Sequence, residues 1–97
     1  MDKYINFIRE KLTTRELLEQ LAEECNELGK ISLKLIRAGG LSNNTTPLNF
    51  YNAMIDFTEE QLDVVSVLWL LTGNKDYEYI KNYPKFERWA RRLGYKE

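Results

Sequence analysis

The sequence predicts an all-α fold, a helical bundle in which two long antiparallel helices pack with shorter flanking helices. Apolar residues recur at the 3.6-residue spacing of a helix in two long segments, residues 14–38 and 50–71. No segment has the alternation of apolar and polar residues that is typical of a strand. A chain of 97 residues can bury one small core, so we expect a single domain over residues 1–97.

The first element is predicted to be a short amphipathic helix over residues 2–11. Its inward side chains are Tyr4, Ile5 and Ile8. Thr13 and Glu16 have the spacing of a capping box, in which each side chain satisfies a free backbone donor at a helix start. The second helix should therefore begin near Thr14.

The second helix is expected to run to Ala38, because Gly39 and Gly40 readily adopt the left-handed conformation that ends helices. One face of this helix is apolar and is predicted to contact the core: Leu18, Leu21, Cys25, Leu28, Ser32 and Leu35, with Leu17 and Ile31 beside it. Cys25 is then expected to be a small buried thiol.

Residues 41–48 contain turn formers and few apolar residues, so they are predicted to form the main loop. Asn49 can cap a third helix over residues 50–71. Five apolar residues of this helix fall on one side: Ala53, Phe57, Val64, Leu68 and Leu71.

Thr72 and Gly73 are expected to end the third helix. A short helix is predicted from residue 74 or 75 to residue 83, with Tyr77 and Ile80 inward. Pro84 suits the first position of a last helix, which should end at Gly94.

The composition excludes several classes of function. A net charge of -1 provides no field that favours nucleic acid or an anionic membrane, so neither is expected as a partner. The chain has no histidine, which excludes Ser-His and Cys-His catalysis and the usual zinc enzymes, and one cysteine cannot form a disulfide framework. The longest apolar run is about eight residues, against roughly 20 needed to cross a bilayer. Without a signal peptide, the expected location is cytoplasmic.

Two pairs of acidic residues border the apolar faces of the long helices. Glu24 and Glu27 lie one turn apart on the second helix, and Glu60 and Asp63 lie one turn apart on the third. Two carboxylates about 5.5 Å apart repel by roughly 3 kcal/mol at an effective dielectric constant near 20, so four that converge require a cation. Mg²⁺, with Mn²⁺ as a substitute, is a hard cation that prefers oxygen ligands.

A second interpretation treats these acids as ordinary surface charges. Thr58 could begin a separate helix whose first turns contain Glu59, Glu60 and Asp63, where the helix dipole favours acidic side chains. Glu23, Glu24 and Glu27 could likewise be solvated residues that pair with Lys30 and Lys34.

The two acidic pairs, in the settings LAEECNELGK and TEEQLDVVSVL, resemble the Glu-x-x-Glu and Glu-x-x-Asp signature of the MazG-type all-α nucleoside triphosphate pyrophosphohydrolases. The resemblance covers roughly residues 15–93, since KFERWARRL is similar to the basic C-terminal helix of that family. It implies a MazG-like helical core, magnesium bound by Glu24, Glu27, Glu60 and Asp63, and hydrolysis of a nucleoside triphosphate to monophosphate and pyrophosphate. Whether the biological role is house-cleaning of the nucleotide pool stays open.

The resemblance also implies supporting roles for neighbouring acids, and the sequence departs from the pattern of the family in one respect. Glu23 and Glu59 would support the ligands, and one of the carboxylates would orient the attacking water. The 32 residues between Glu27 and Glu60 are more than compact members of the family have. This connection resembles a Gly-rich, Thr-Pro-containing insertion in short, phage-like members of the family. Whether residues 28–59 form a lid over the substrate, and which base is preferred, therefore stay open.

A triphosphate also needs cationic donors. The candidates lie beside the first acidic pair or along one side of the last helix: Lys30, Lys34, Lys85, Arg88 and Arg92. Each could equally be a solvated surface cation. The five glycines do not have the spacing of a phosphate-binding loop.

The aromatic residues could stack on a base, but packing in the core or between subunits is the commoner role at such positions: Tyr51, Tyr77, Tyr79, Trp69 and Trp89. Trp69 and Tyr51 are predicted to share a second apolar surface, which favours a homodimer or homotetramer with the active site near a subunit boundary. The opposing class of function is a non-catalytic helical interaction module, or a nucleotide-binding module, whose acids are surface charges.

Overall fold

The described residues of the computed structural model are 2–40, 43, 49–73 and 82–97, and they contain four helices and no strand. The helices are α1 (Asp2–Lys11), α2 (Thr14–Ala38), α3 (Phe50–Thr72) and α4 (Tyr83–Arg92). The predicted all-α class is confirmed. Residues 74–81, where a further short helix was expected, lie outside the described residues, as do most of residues 41–48.

Local capping sets the limits of the long helices as predicted. The hydroxyl of Thr13 accepts a hydrogen bond from the backbone N–H of Glu16 at 3.1 Å, and the carboxylate of Glu16 accepts one from the N–H of Thr13 at 3.0 Å. Asn49 Oδ1 accepts hydrogen bonds from the first free N–H groups of α3. Gly73 ends α3 in the left-handed conformation, with φ of 62°.

The core lies at one end of the α2–α3 pair, where α1 and α4 cover it. Its buried residues come from all four helices: Tyr4, Ile5, Ile8, Leu17, Val67, Leu70, Phe86, Trp89 and Ala90. Arg9 of α1 donates hydrogen bonds to the carbonyl groups of Trp69 and Leu70, at 3.1 and 3.4 Å. A cation at these C-terminal carbonyls interacts favourably with the helix dipole, and it anchors α1 to α3.

The prediction of which face of α2 contacts the core is wrong, because the helix is rotated about its axis from the predicted orientation. Leu17, Glu24 and Ile31 are the buried residues, whereas Leu18 is 52% exposed and Cys25 is exposed. Apolar residues occur around more than half of α2, so periodicity alone did not fix which side contacts α3.

The predicted surface role of Trp69 is also wrong. Its ring packs edge-on against Phe86, with the ring centroids 5.8 Å apart, and it adjoins the core. Tyr51, which was expected on the same surface, is 72% exposed. Within the described ranges, no helix combines the length and the apolar character needed to cross a membrane.

Candidate metal centre

Three of the four predicted acids converge between α2 and α3. Glu24 of α2 and the α3 pair Glu60 and Asp63 each offer one carboxylate oxygen, and these oxygens lie within 4.8 Å of one another. The convergence follows from the one-turn spacing of the α3 pair and from the burial of Glu24 on the side of α2 that packs on α3.

The α3 acids are not first-turn acids of a separate helix. α3 is continuous from Phe50 to Thr72, and the hydroxyl of Thr58 donates a hydrogen bond to the carbonyl of Met54 at 3.0 Å, as a residue inside a helix does. The helix-dipole explanation for Glu60 and Asp63 therefore does not apply, since their position is the middle of α3.

Glu24 is the most buried member of the group, with 9% of the residue exposed. Its Oε1 accepts hydrogen bonds from Gln20 at 3.0 Å and from the ammonium group of Lys85 at 3.1 Å. Buried carboxylates are rare unless they are paired, and here the pairing comes from α4.

Asp63 is held by Lys85, which was predicted as a cationic donor, and by Asn82, which was not predicted to belong to the site. Its Oδ1 lies 3.4 Å from Lys85 Nζ and accepts a long hydrogen bond of 3.5 Å from the Asn82 amide. Asn82 also donates to the hydroxyl of Ser66 at 3.2 Å, and Ser66 in turn donates to the carbonyl of Leu62. The only sequence signal for Asn82 was its position just before the start of α4.

Glu60 has an unsatisfied oxygen. Its Oε2 is buried and has no hydrogen-bond partner among the described residues. Burial raises the pKa of Glu60 above its ordinary value, and the negative charges of Asp63, Glu24 and Glu27 raise it further, while Lys85 opposes them. A buried carboxylate oxygen without a donor is costly, and such an atom requires an explanation.

Glu27, the fourth predicted ligand, lies outside this group of three. Its side chain is 54% exposed and is 3.7 Å from Lys30 Nζ, which is the surface pairing expected from the second interpretation. It nevertheless borders an open groove of about 560 Å³ with Glu24 and a smaller one with Glu60. The predicted supporting acids, Glu23 and Glu59, are exposed on the rims of these grooves.

The five predicted cationic donors are distributed unevenly. Lys85 is 11% exposed and contacts the acids themselves. Lys30 and Lys34 are exposed beside Glu27 and Glu60, and Arg88 is exposed on a groove that it shares with Asp63. Arg92 is exposed in the last turn of α4.

The donor set suits a hard divalent cation. All three converging groups are carboxylates, and Mg²⁺ takes octahedral oxygen ligands at about 2.0 to 2.1 Å, so two ligands of one ion lie about 3.0 Å apart when adjacent and about 4.2 Å apart when opposite. Small side-chain rotations would bring three oxygens that lie within 4.8 Å of one another to these separations. The unsatisfied Oε2 of Glu60 would gain a partner in the same rearrangement.

Comparisons of the chain with models of known protein families, with curated proteins and with solved structures gave no match.

Proposed function

We propose that this protein is a Mg²⁺-dependent nucleoside triphosphate pyrophosphohydrolase, which cleaves its substrate to nucleoside monophosphate and pyrophosphate. The observation that supports the proposal best is the buried Oε2 of Glu60, which has no hydrogen-bond partner in the described part of the chain, within a group of three carboxylates from two helices. A further support is that these acids occupy three of the four positions that resemble the MazG-type signature.

In this proposal each residue has a defined task. Glu24, Glu60 and Asp63 hold the cation, Mg²⁺ or Mn²⁺, which when bound neutralises the charge that develops on phosphate oxygens. Glu27 would leave Lys30 and either complete the ligand set or orient the attacking water. Arg88 and Lys34, exposed on the flanking grooves, are the donors best placed for the triphosphate.

A pyrophosphate-release screen over canonical and modified triphosphates tests the proposal. Asp63→Asn should abolish release in Mg²⁺ without loss of helix content, measured by circular dichroism. Glu19→Gln is the matched control, because Glu19 is an exposed α2 acid that pairs with Arg15 at 3.1 Å. Release by Asp63→Asn at the wild-type rate, or no release of pyrophosphate from any triphosphate, would overturn the assignment.

We further propose a homodimer or homotetramer, formed through the end of the α2–α3 pair that lies away from the core. Exposed large apolar side chains collect there: Leu33, Ile36, Phe50, Tyr51, Met54 and Ile55. The radius of gyration is 15.6 Å, against about 12.5 Å expected for a compact domain of this length. A second copy of the chain could cover these side chains with the same surface.

Light scattering after gel filtration tests this assembly. Ile55→Glu should reduce the mass to that of one chain, whereas Leu18→Glu, which places the same charge at an exposed α2 position nearer the core, should not. A wild-type protein that is monomeric at high concentration would contradict the assembly while leaving the proposed activity standing.

The same exposed apolar end supports the alternative, a non-catalytic helical interaction module or a nucleotide-binding module. Such a module would bind its partner without releasing pyrophosphate, so the triphosphate screen separates the two functions. A cytoplasmic location belongs to the proposed enzymatic function, because the nucleotide pool that it would act on is there.

A further inference from the structure

Lys85 connects α4 to the acidic group. Its ammonium nitrogen lies 3.1 Å from Glu24 Oε1 and 3.4 Å from Asp63 Oδ1, and only 11% of the side chain is exposed. The same nitrogen lies 5.7 Å from the centre of the buried Trp89 ring, within the range of a cation–π interaction. Two carboxylates and one aromatic face therefore fix the position of the ammonium group.

This position conflicts with a divalent cation on the same carboxylates. A cation bound at about 2.1 Å to Glu24 Oε1 would lie at most about 5.2 Å from the present position of Lys85 Nζ. Charges of +2 and +1 at that separation, in a site with little solvent, repel strongly. Glu24 Oε1 already accepts hydrogen bonds from Gln20 and Lys85, so a metal ion bound to this oxygen would have to displace one of these donors.

We propose, on the basis of the function proposed above, that Lys85 is a tethered counter-cation that competes with the divalent cation for Glu24 and Asp63. Lys85 holds the converging acids together before the cation binds, and its ammonium group leaves them when the cation arrives. The affinity of the site for the divalent cation is therefore set partly by competition with Lys85 of the same chain. This role differs from that of a phosphate donor, for which the ammonium group would face a groove rather than the acids.

The direct test is calorimetric titration of the protein with Mn²⁺ alone, without nucleotide. Lys85→Met removes the competitor and retains the length of the side chain, so it should bind Mn²⁺ about tenfold more tightly than wild type. Lys3→Met is the matched control, because it makes the same charge change at an exposed ion pair with Glu97, a residue outside the acidic group. Its affinity should stay within about twofold of wild type.

Two further readouts do not depend on affinity alone. Lys85→Met should melt at a lower temperature than wild type in chelator and should gain more than wild type on addition of Mn²⁺ or Mg²⁺. In wild type, Mg²⁺ should change the fluorescence of Trp89 as the ammonium group leaves its ring, and this change should be absent in Lys85→Met. If Lys85→Met does not fold, Lys85→Gln, which can still hydrogen-bond to the carboxylates, replaces it.

The outcomes separate this inference from the proposed function. Wild type that binds Mn²⁺ while Lys85→Met binds it equally or more weakly would overturn the counter-cation role and leave the metal centre standing. If neither protein binds Mn²⁺, both the metal centre and the counter-cation role are wrong.

Discussion

The Glu60→Gln variant should be more stable than wild type without Mg²⁺ and less stable than wild type with Mg²⁺. The substitution keeps the size and the helix propensity of the side chain and removes one charge from the acidic group. Each carboxylate pair at the 4.8 Å limit repels by about 3.5 kcal/mol at an effective dielectric constant near 20. The attraction of Lys85 and the partial exposure of Asp63 offset most of this repulsion.

We therefore expect a net gain of about 1 kcal/mol for Glu60→Gln in chelator, which corresponds to a rise in melting temperature of about 4 to 8 °C for a domain of this size. Mg²⁺ at about 100 times its dissociation constant should stabilise wild type by about 2.7 kcal/mol. Loss of a direct ligand should weaken binding by at least about 100-fold, the upper range for groups that only support ligands, so the variant should gain about 0.4 kcal/mol. Wild type should then be the more stable protein by about 1 kcal/mol.

Thermal unfolding followed by circular dichroism, with and without Mg²⁺ and with sodium salt at the same ionic strength, measures both differences. Glu59→Gln is the control, because it removes the neighbouring charge at an exposed position of α3. It should change stability by less than about 0.5 kcal/mol in either condition. A Glu60→Gln protein that is less stable than wild type in chelator, or that gains as much from Mg²⁺, would refute the reasoning.

The remaining predictions concern pH and the helices that hold the site. The pKa of Glu60 is raised above its ordinary value of 4.5, so between these two pKa values the folded chain retains a proton that the unfolded chain has lost. The free energy of unfolding without metal should therefore fall as pH rises from about 4.5 through the raised pKa. Denaturant unfolding at several pH values should show this fall in wild type, and a fall of the same size in Glu60→Gln would contradict it. Gly29→Ala should stabilise by about 1 kcal/mol, since Gly29 is a helical residue with open space beside it. Gly39→Ala should destabilise, because the added Cβ would lie 3.2 Å from the backbone carbonyl oxygen of Leu35 as well as 3.2 Å from the Phe50 ring; equal effects of the two substitutions in urea unfolding would refute this contrast. Thr13→Ala should lower the free energy of unfolding by about 1 kcal/mol through loss of the cap, and an unchanged urea midpoint would count against that role.

The helix limits could be predicted because capping is local. The hydrogen bonds of Thr13 with Glu16, and those that Asn49 makes to the start of α3, join residues within three positions of each other. The orientation of α2 could not be predicted in the same way. Leu18 and Cys25 are as suitable for a core as their neighbours, and only the packing of α3 on the other side of α2 leaves them exposed.

The acidic group could be predicted in part for the same reason. The one-turn spacing within each pair is a property of the helix, but the convergence of Glu24 with the α3 pair, and the divergence of Glu27, depend on the rotation of α2. Lys85 was predicted as a cation for the site, but not as a partner of Glu24, because 61 positions of sequence separate the two residues.

The position of Lys85 next to Phe86 has a consequence for assembly of the fold during synthesis. The α2–α3 hairpin is translated before α4, so its three converging carboxylates are without the ammonium group until residue 85 has left the ribosome. Docking of α4 then delivers the positive charge and the fully buried Phe86 ring in one step. Pairing of the carboxylates with Lys85 and burial of the Phe86 ring are therefore coupled. A substitution that loosens the Phe86 ring should also disorder the carboxylates.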